Sequence, residues 1–115
     1  MSDIFDYKKL FENFYQEKEI VDEVIQIFID TTGKQIVQLD GWISDVEKNL
    51  ADIRFTIHSI KGSAYNITAI KTGDIAAAIQ KACDEKDITG IPKLYESFKE
   101  SYFELKNSIE SALLE

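Results

Sequence analysis

The sequence has little of what breaks a helix or holds a metal. One proline stands among 115 residues, and the five glycines, at 33, 41, 62, 73 and 90, occur singly, so the paired turn residues that build β-hairpins are almost missing. A strand-rich fold is disfavoured and an all-α one expected. The only cysteine, Cys83, has no mate for an internal disulfide. With a single histidine in the chain, no zinc site built from those ligands can be assembled, and no metal ligand is assigned. Nothing approaches the ~18 uninterrupted apolar residues of a membrane span. The start, MSDIFDYKKLFENF, sets charges among its apolar residues, which speaks against a signal peptide and for a cytoplasmic protein. Positive charge is scarce too: 13 Lys and Arg face 21 Asp and Glu, a net charge of −8 and the wrong sign for binding a nucleic-acid backbone. At this length, 44% apolar and 30% charged, one domain over residues 1–115 with a modest core is expected.

What is present is periodic. From Glu19 to Glu47, Val21, Val24, Phe28, Ile36, Leu39, Ile43 and Val46 recur at three- and four-residue steps with Thr32 in the gap, which predicts one long amphipathic helix. Ile25 and Ile29 widen its apolar face, and Leu10, Phe11 and Phe14 of a short N-terminal helix can cover them. A second long helix is expected from Ala51 to Asn66 on Ile53, Ile57, Ile60, Ala64 and Ile67. A third is expected from Ala69 to Lys86, with Thr68 as N-cap and Ile75, Ile79 and Ala82 inward. The last starts near Thr89 or Gly90, where Pro92 falls in the first turn and costs little. It carries Ile91, Leu94, Phe98, Tyr102, Leu105, Ile109 and Leu113. The expected architecture is an up-and-down antiparallel four-helix bundle with a short extra N-terminal helix across one end. Trp42, Cys83, Tyr95 and Tyr102 read as core or half-buried residues. The acidic run Glu17 to Glu23 reads as a solvated helix face, its spacing matching no calcium loop.

The histidine does not belong to this core. At 100° per residue His58 lies roughly 140° from the centre of its helix's apolar stripe, beside Arg54, Lys61, Gly62 and Tyr65. A glycine inside a helix costs about 1 kcal/mol against alanine, so Gly62 suggests that something needs room beside the imidazole. Lys61, three residues on, shares the face and can hold an anion attached to the ring. An exposed imidazole, with an ordinary pKa near ~6.5, is largely neutral and nucleophilic at neutral pH. Phosphate is the natural candidate for the anion.

The segment His58-Ser59-Ile60-Lys61-Gly62-Ser63-Ala64 resembles the H-x-[LI]-K-G-[SA]-[SA] signature of histidine-containing phosphotransfer (HPt) domains. Asn66 and Ala69 agree with the family's N-[LI]-G-A continuation, with Thr68 where glycine is usual; Ala76 and Thr72 replace a frequent cysteine and leucine. The resemblance implies that His58 accepts a phosphoryl group, through Nε2, from an aspartyl phosphate of a response-regulator receiver domain and passes it to another receiver's aspartate. Lys61, with help from Ser63, would offset the phosphoryl charge, and Gly62 would admit the partner. Gln80, twenty-two residues after His58, stands where the family often has a glutamine or glutamate close to the ring, able to hold the non-reacting nitrogen. The magnesium ion of the transfer would belong to the receiver, and this chain needs no cofactor of its own.

Docking is expected on the His58 face through Arg54, Phe55, Lys61, Gly62 and Tyr65, with Arg54 steering toward an acidic receiver pocket or pairing with a nearby acid. Receivers, and a hybrid histidine kinase, are the expected partners of a monomer. No glycine-rich nucleotide-binding motif occurs, so the chain is expected to be a covalent phosphocarrier without kinase activity. The competing reading is a non-catalytic helical adaptor that docks on a receiver or kinase without being phosphorylated. An ordinary helical scaffold with a chance motif is weaker still.

Overall fold

A computed structural model describes residues 5–113, with side chains through 111. The first four residues of the chain's charged start and the side chain of Leu113 lie outside the described residues. Those residues form five helices and no strand: α1 (Tyr7–Asn13), α2 (Lys18–Ile43), α3 (Leu50–Asn66), α4 (Ile70–Asp84) and α5 (Ile91–Leu113). Each long helix packs on the next in the chain, and α5 returns to α2, which closes a four-helix bundle of up-and-down order. Helix α1 packs on α2 alone.

The core follows the apolar stripes. Val21, Ile25 and Leu39 of α2, Ile53, Ile57 and Ile60 of α3, and Ile91, Phe98 and Leu105 of α5 are all fully buried. Leu10 of α1 is buried over α2, with Phe11 and Phe14 packed beside it, as the widened face of α2 requires. Polar groups that enter the core are paired: Tyr102 Oη donates to the Ile29 carbonyl at 2.7 Å, Tyr95 Oη donates to Asp40 Oδ1 at 2.6 Å with the Ile36 carbonyl as a second acceptor at 3.1 Å, and Thr72 and Ser101 share a hydrogen bond of 2.6 Å between α4 and α5. Cys83, Tyr95 and Tyr102 are core residues and Trp42 is half-buried.

Three local expectations are corrected. Helix α2 ends at Ile43 rather than Glu47, because side chains downstream take over its last carbonyls. Asn49 Nδ2 donates to the Trp42 carbonyl and Ser44 Oγ to the Gly41 carbonyl, and the chain turns there, burying Val46 from a loop. Thr68 is not an N-cap. It holds a positive φ of 63°, one residue before the observed cap at Ala69, which makes no side-chain cap bond. Its hydroxyl instead accepts from Asp6 N at 2.9 Å and donates to Asp6 O at 3.0 Å. The inward face of α4 is Thr72, Gly73, Ala76, Ile79, Ala82 and Cys83, with Ile75 only half-buried, since α4 must present small residues to α3 on one side and reach α5 on the other.

Candidate functional site

The apolar stripe of α3 faces inward, so residues on the opposite side are pushed to solvent, and His58 is exposed. Helix α4 runs antiparallel beside it, and Gln80 brings its side-chain carbonyl Oε1 to 3.0 Å from His58 Nδ1. A carbonyl oxygen only accepts, so Nδ1 is the donor and Nε2 keeps its lone pair, the tautomer a nucleophile at Nε2 needs. Two further polar links cross the same groove. Arg54 Nε donates to Asp84 Oδ1 one turn before the histidine, and Tyr65 Oη donates to Asp74 Oδ1 at 2.7 Å two turns after it.

Between the His58–Gln80 and Tyr65–Asp74 links no polar crossing of the groove occurs among the described residues. Lys61 stands there, half-buried, its ammonium in none of the ion pairs among the described residues. Gly62 beside it is exposed, and a Cβ at that position would meet nothing within 4 Å. The fold therefore does not require this glycine. An exposed imidazole thus has open space and, among the described residues, a cation outside the ion pairs beside it.

The other expected docking residues divide. Phe55 is 77% exposed and is not covered by α1. Arg54 gives its Nε–H to Asp84, both side chains about half exposed, and this hydrogen bond raises the guanidinium pKa still further. Tyr65 is a wall of the groove more than a free aromatic. Its ring lies so close to Gly73 that a Cβ there would sit 2.4 Å from Cε1, and its bond to Asp74, followed by desolvation, pushes the phenol pKa up.

The structure adds a surface that single-helix reading missed. On the α2 side of α3, Val24, Ile27, Phe28, Ser63, Asn66 and Ile67 line a shallow hollow of about 140 Å³, with Ile20 at 46% and Ile27 at 55% exposure. The available signal was Ile20 and Ile27 themselves, two turns apart and off the main stripe of α2. Larger hollows between α4 and α5 and between α2 and α5 hold no histidine. Among the described residues no group of three or more His, Cys, Asp or Glu could hold a metal ion, and no helix is long and apolar enough to cross a membrane.

A family model described as the Hpt domain matches residues 23–113, which takes in α3, α4 and every residue of this groove. Comparison with curated proteins and with solved structures gave no match.

Proposed function

The chain belongs to the Hpt domain family, a family of phosphocarrier modules in two-component signalling, and from that premise we propose that it relays a phosphoryl group between aspartates of receiver domains by way of phosphohistidine at His58. The observation that carries this reading is the exposed imidazole whose Nδ1 is taken by Gln80, which leaves Nε2 as the nucleophile. In the transfer, Nε2 attacks the phosphorus of the receiver's aspartyl phosphate. The Nε2–P bond forms as the P–O bond to the aspartate breaks, and the aspartate leaves as carboxylate. The ring keeps its Nδ1 proton and becomes cationic, so its bond to Gln80 becomes charge-assisted and stronger. Lys61 faces the dianionic phosphoryl group, and no proton has to move. The return step reverses this on a second receiver, with neutral imidazole as leaving group. Catalysis is then mainly positioning and electrostatics, and the magnesium ion is assigned to the receiver.

The docking face in this reading runs from Phe55 and Gly62 across to Ile20, Ile27 and the hollow on α2. It is a small apolar patch of the kind transient partners use. A hybrid histidine kinase would use the same face.

Incubation with phosphorylated receivers should place label on the protein as an acid-labile, alkali-stable phosphoramidate, and His58→Gln should abolish it. Undiminished labelling of His58→Gln sinks the assignment. Lack of uptake from every receiver of the source organism favours the adaptor reading.

A further inference from the structure

Two cations flank His58 on the α4 side of α3: Arg54 one turn before it and Lys61 one turn after. By helical spacing either could reach a phosphoryl group on the ring. Only Arg54 is met by an acid of the fold. Asp84 on α4 takes its Nε–H, whereas Lys61 enters no ion pair among the described residues. Asp84 also stands one turn beyond Gln80 on the same face of α4, so the Arg54–Asp84 and His58–Gln80 links are successive rungs between the same two helices. The other charged groups near this rung, Lys81 of α4 and Glu85 at its C-cap, face each other at 3.8 Å. No carboxylate of any described element lies within ion-pair distance of the imidazole.

We propose that Asp84 is a positioning residue that holds the Arg54 guanidinium away from the phosphoryl group, leaving Lys61 as the sole cation on phosphohistidine and keeping the phosphoryl bond short-lived enough to be passed on. The inference rests on the relay reading above. Its chemistry is that of competing anions. A guanidinium binds a phosphate through two parallel N–H donors, where an ammonium acts as a point charge. A second, bidentate cation would stabilise the phosphorylated state and oppose its discharge, and a carrier that holds its cargo too tightly relays poorly. Asp84 offers the guanidinium a carboxylate already in place.

The test uses the small donor phosphoramidate, so that no receiver is needed, and reads the lifetime of the label on His58 at neutral pH in the wild type, Asp84→Asn, Arg54→Gln, the double variant of these two, and Lys61→Gln. Asp84→Asn should lengthen the lifetime about fivefold, the upper range of an exposed ion pair. Arg54→Gln should change it less than twofold, and the double variant should return to the wild-type value. A purely structural role for Asp84 would leave the double variant as altered as Asp84→Asn, and that result overturns the inference. So does a lifetime in Arg54→Gln shortened as much as in Lys61→Gln, since Arg54 would then already serve the phosphoryl group. In a second arm, the Arg54 Nε–H resonance of unlabelled protein should shift between wild type and Asp84→Asn; an unmoved resonance denies the pairing whatever the label does. Wild-type protein that takes no label on His58 while that resonance does move refutes the relay reading, and the role of Asp84 toward phosphate falls with it, although the pairing stands.

Discussion

At the scale of single residues, Gly62 and Gly73 stand on facing helices in opposite surroundings. Gly62 looks onto open space, while a Cβ at Gly73 would enter the Tyr65 ring at 2.4 Å. Helix propensity alone favours alanine at both by about 1 kcal/mol. Gly62→Ala should therefore stabilise the isolated protein by up to that amount in urea denaturation while slowing phosphoryl exchange with a receiver. Gly73→Ala should destabilise it by about 1 kcal/mol net, the steric cost outweighing the propensity gain. In a Tyr65→Ala background the same Gly73→Ala change should become stabilising, because the clashing ring is gone; failure of that sign to reverse would show that Tyr65 does not set the requirement. Lys61→Ala should slow transfer with far-UV circular dichroism unchanged, as befits an ammonium outside the ion pairs among the described residues. An unfolded Lys61→Ala would contradict its placement in the groove.

At the scale of elements, the attachment of α1 depends on Thr68. A β-branched residue at φ 63° is a conformational outlier costing about 1–2 kcal/mol, and the double hydrogen bond of its hydroxyl to the Asp6 backbone offsets that cost. Asp6 is itself the N-cap of α1, its carboxylate accepting from Lys9 N, so one side chain ties the start of α1 to the α3–α4 corner. Thr68→Val keeps the strain and leaves Asp6 N unpaired, and should cost about 1–3 kcal/mol of stability. Thr68→Gly removes strain and tether together. Its global stability should change by less than about 1 kcal/mol, while amide exchange quickens in α1 and stays slow in α3 and α4. Equal loss of protection in all three helices would mean that the tether is not local.

At the scale of the whole molecule, α2 and α5 are joined by polar groups whose ionisation makes stability depend on pH. The hydrogen bond from Tyr95, aided by Lys99, holds the Asp40 carboxyl below its usual value. A depressed folded pKa contributes stability that is present above the unfolded value near ~3.9 and is lost as pH falls through the folded one. Burial raises the phenols of Tyr95 and Tyr102, so their contribution is present below ~10 and is lost as pH rises beyond it. Urea midpoints should form a plateau through neutral pH and fall on both sides. Asp40→Asn should lower the plateau and flatten the acid limb, while Tyr95→Phe should shrink the alkaline loss. An acid limb unchanged in Asp40→Asn would place its origin in other carboxylates.

The sequence by itself determined the helical class, the order of the helices and the placing of His58, Lys61 and Gly62 off the buried stripe of α3, because each depends on spacing within one helix. There, three- and four-residue steps decide which side is buried and which is left over. What only the tertiary structure decided lies between helices or at their ends. The acceptance of Arg54 by Asp84, the seating of Tyr65 on Gly73 and the hollow beside Ile27 depend on how α2, α3 and α4 align. The end of α2 at Ile43 and the left-handed Thr68 depend on side chains from elsewhere capturing backbone groups. Periodicity carries no information about such captures, since a carbonyl or a guanidinium takes whichever partner the packed fold brings to it.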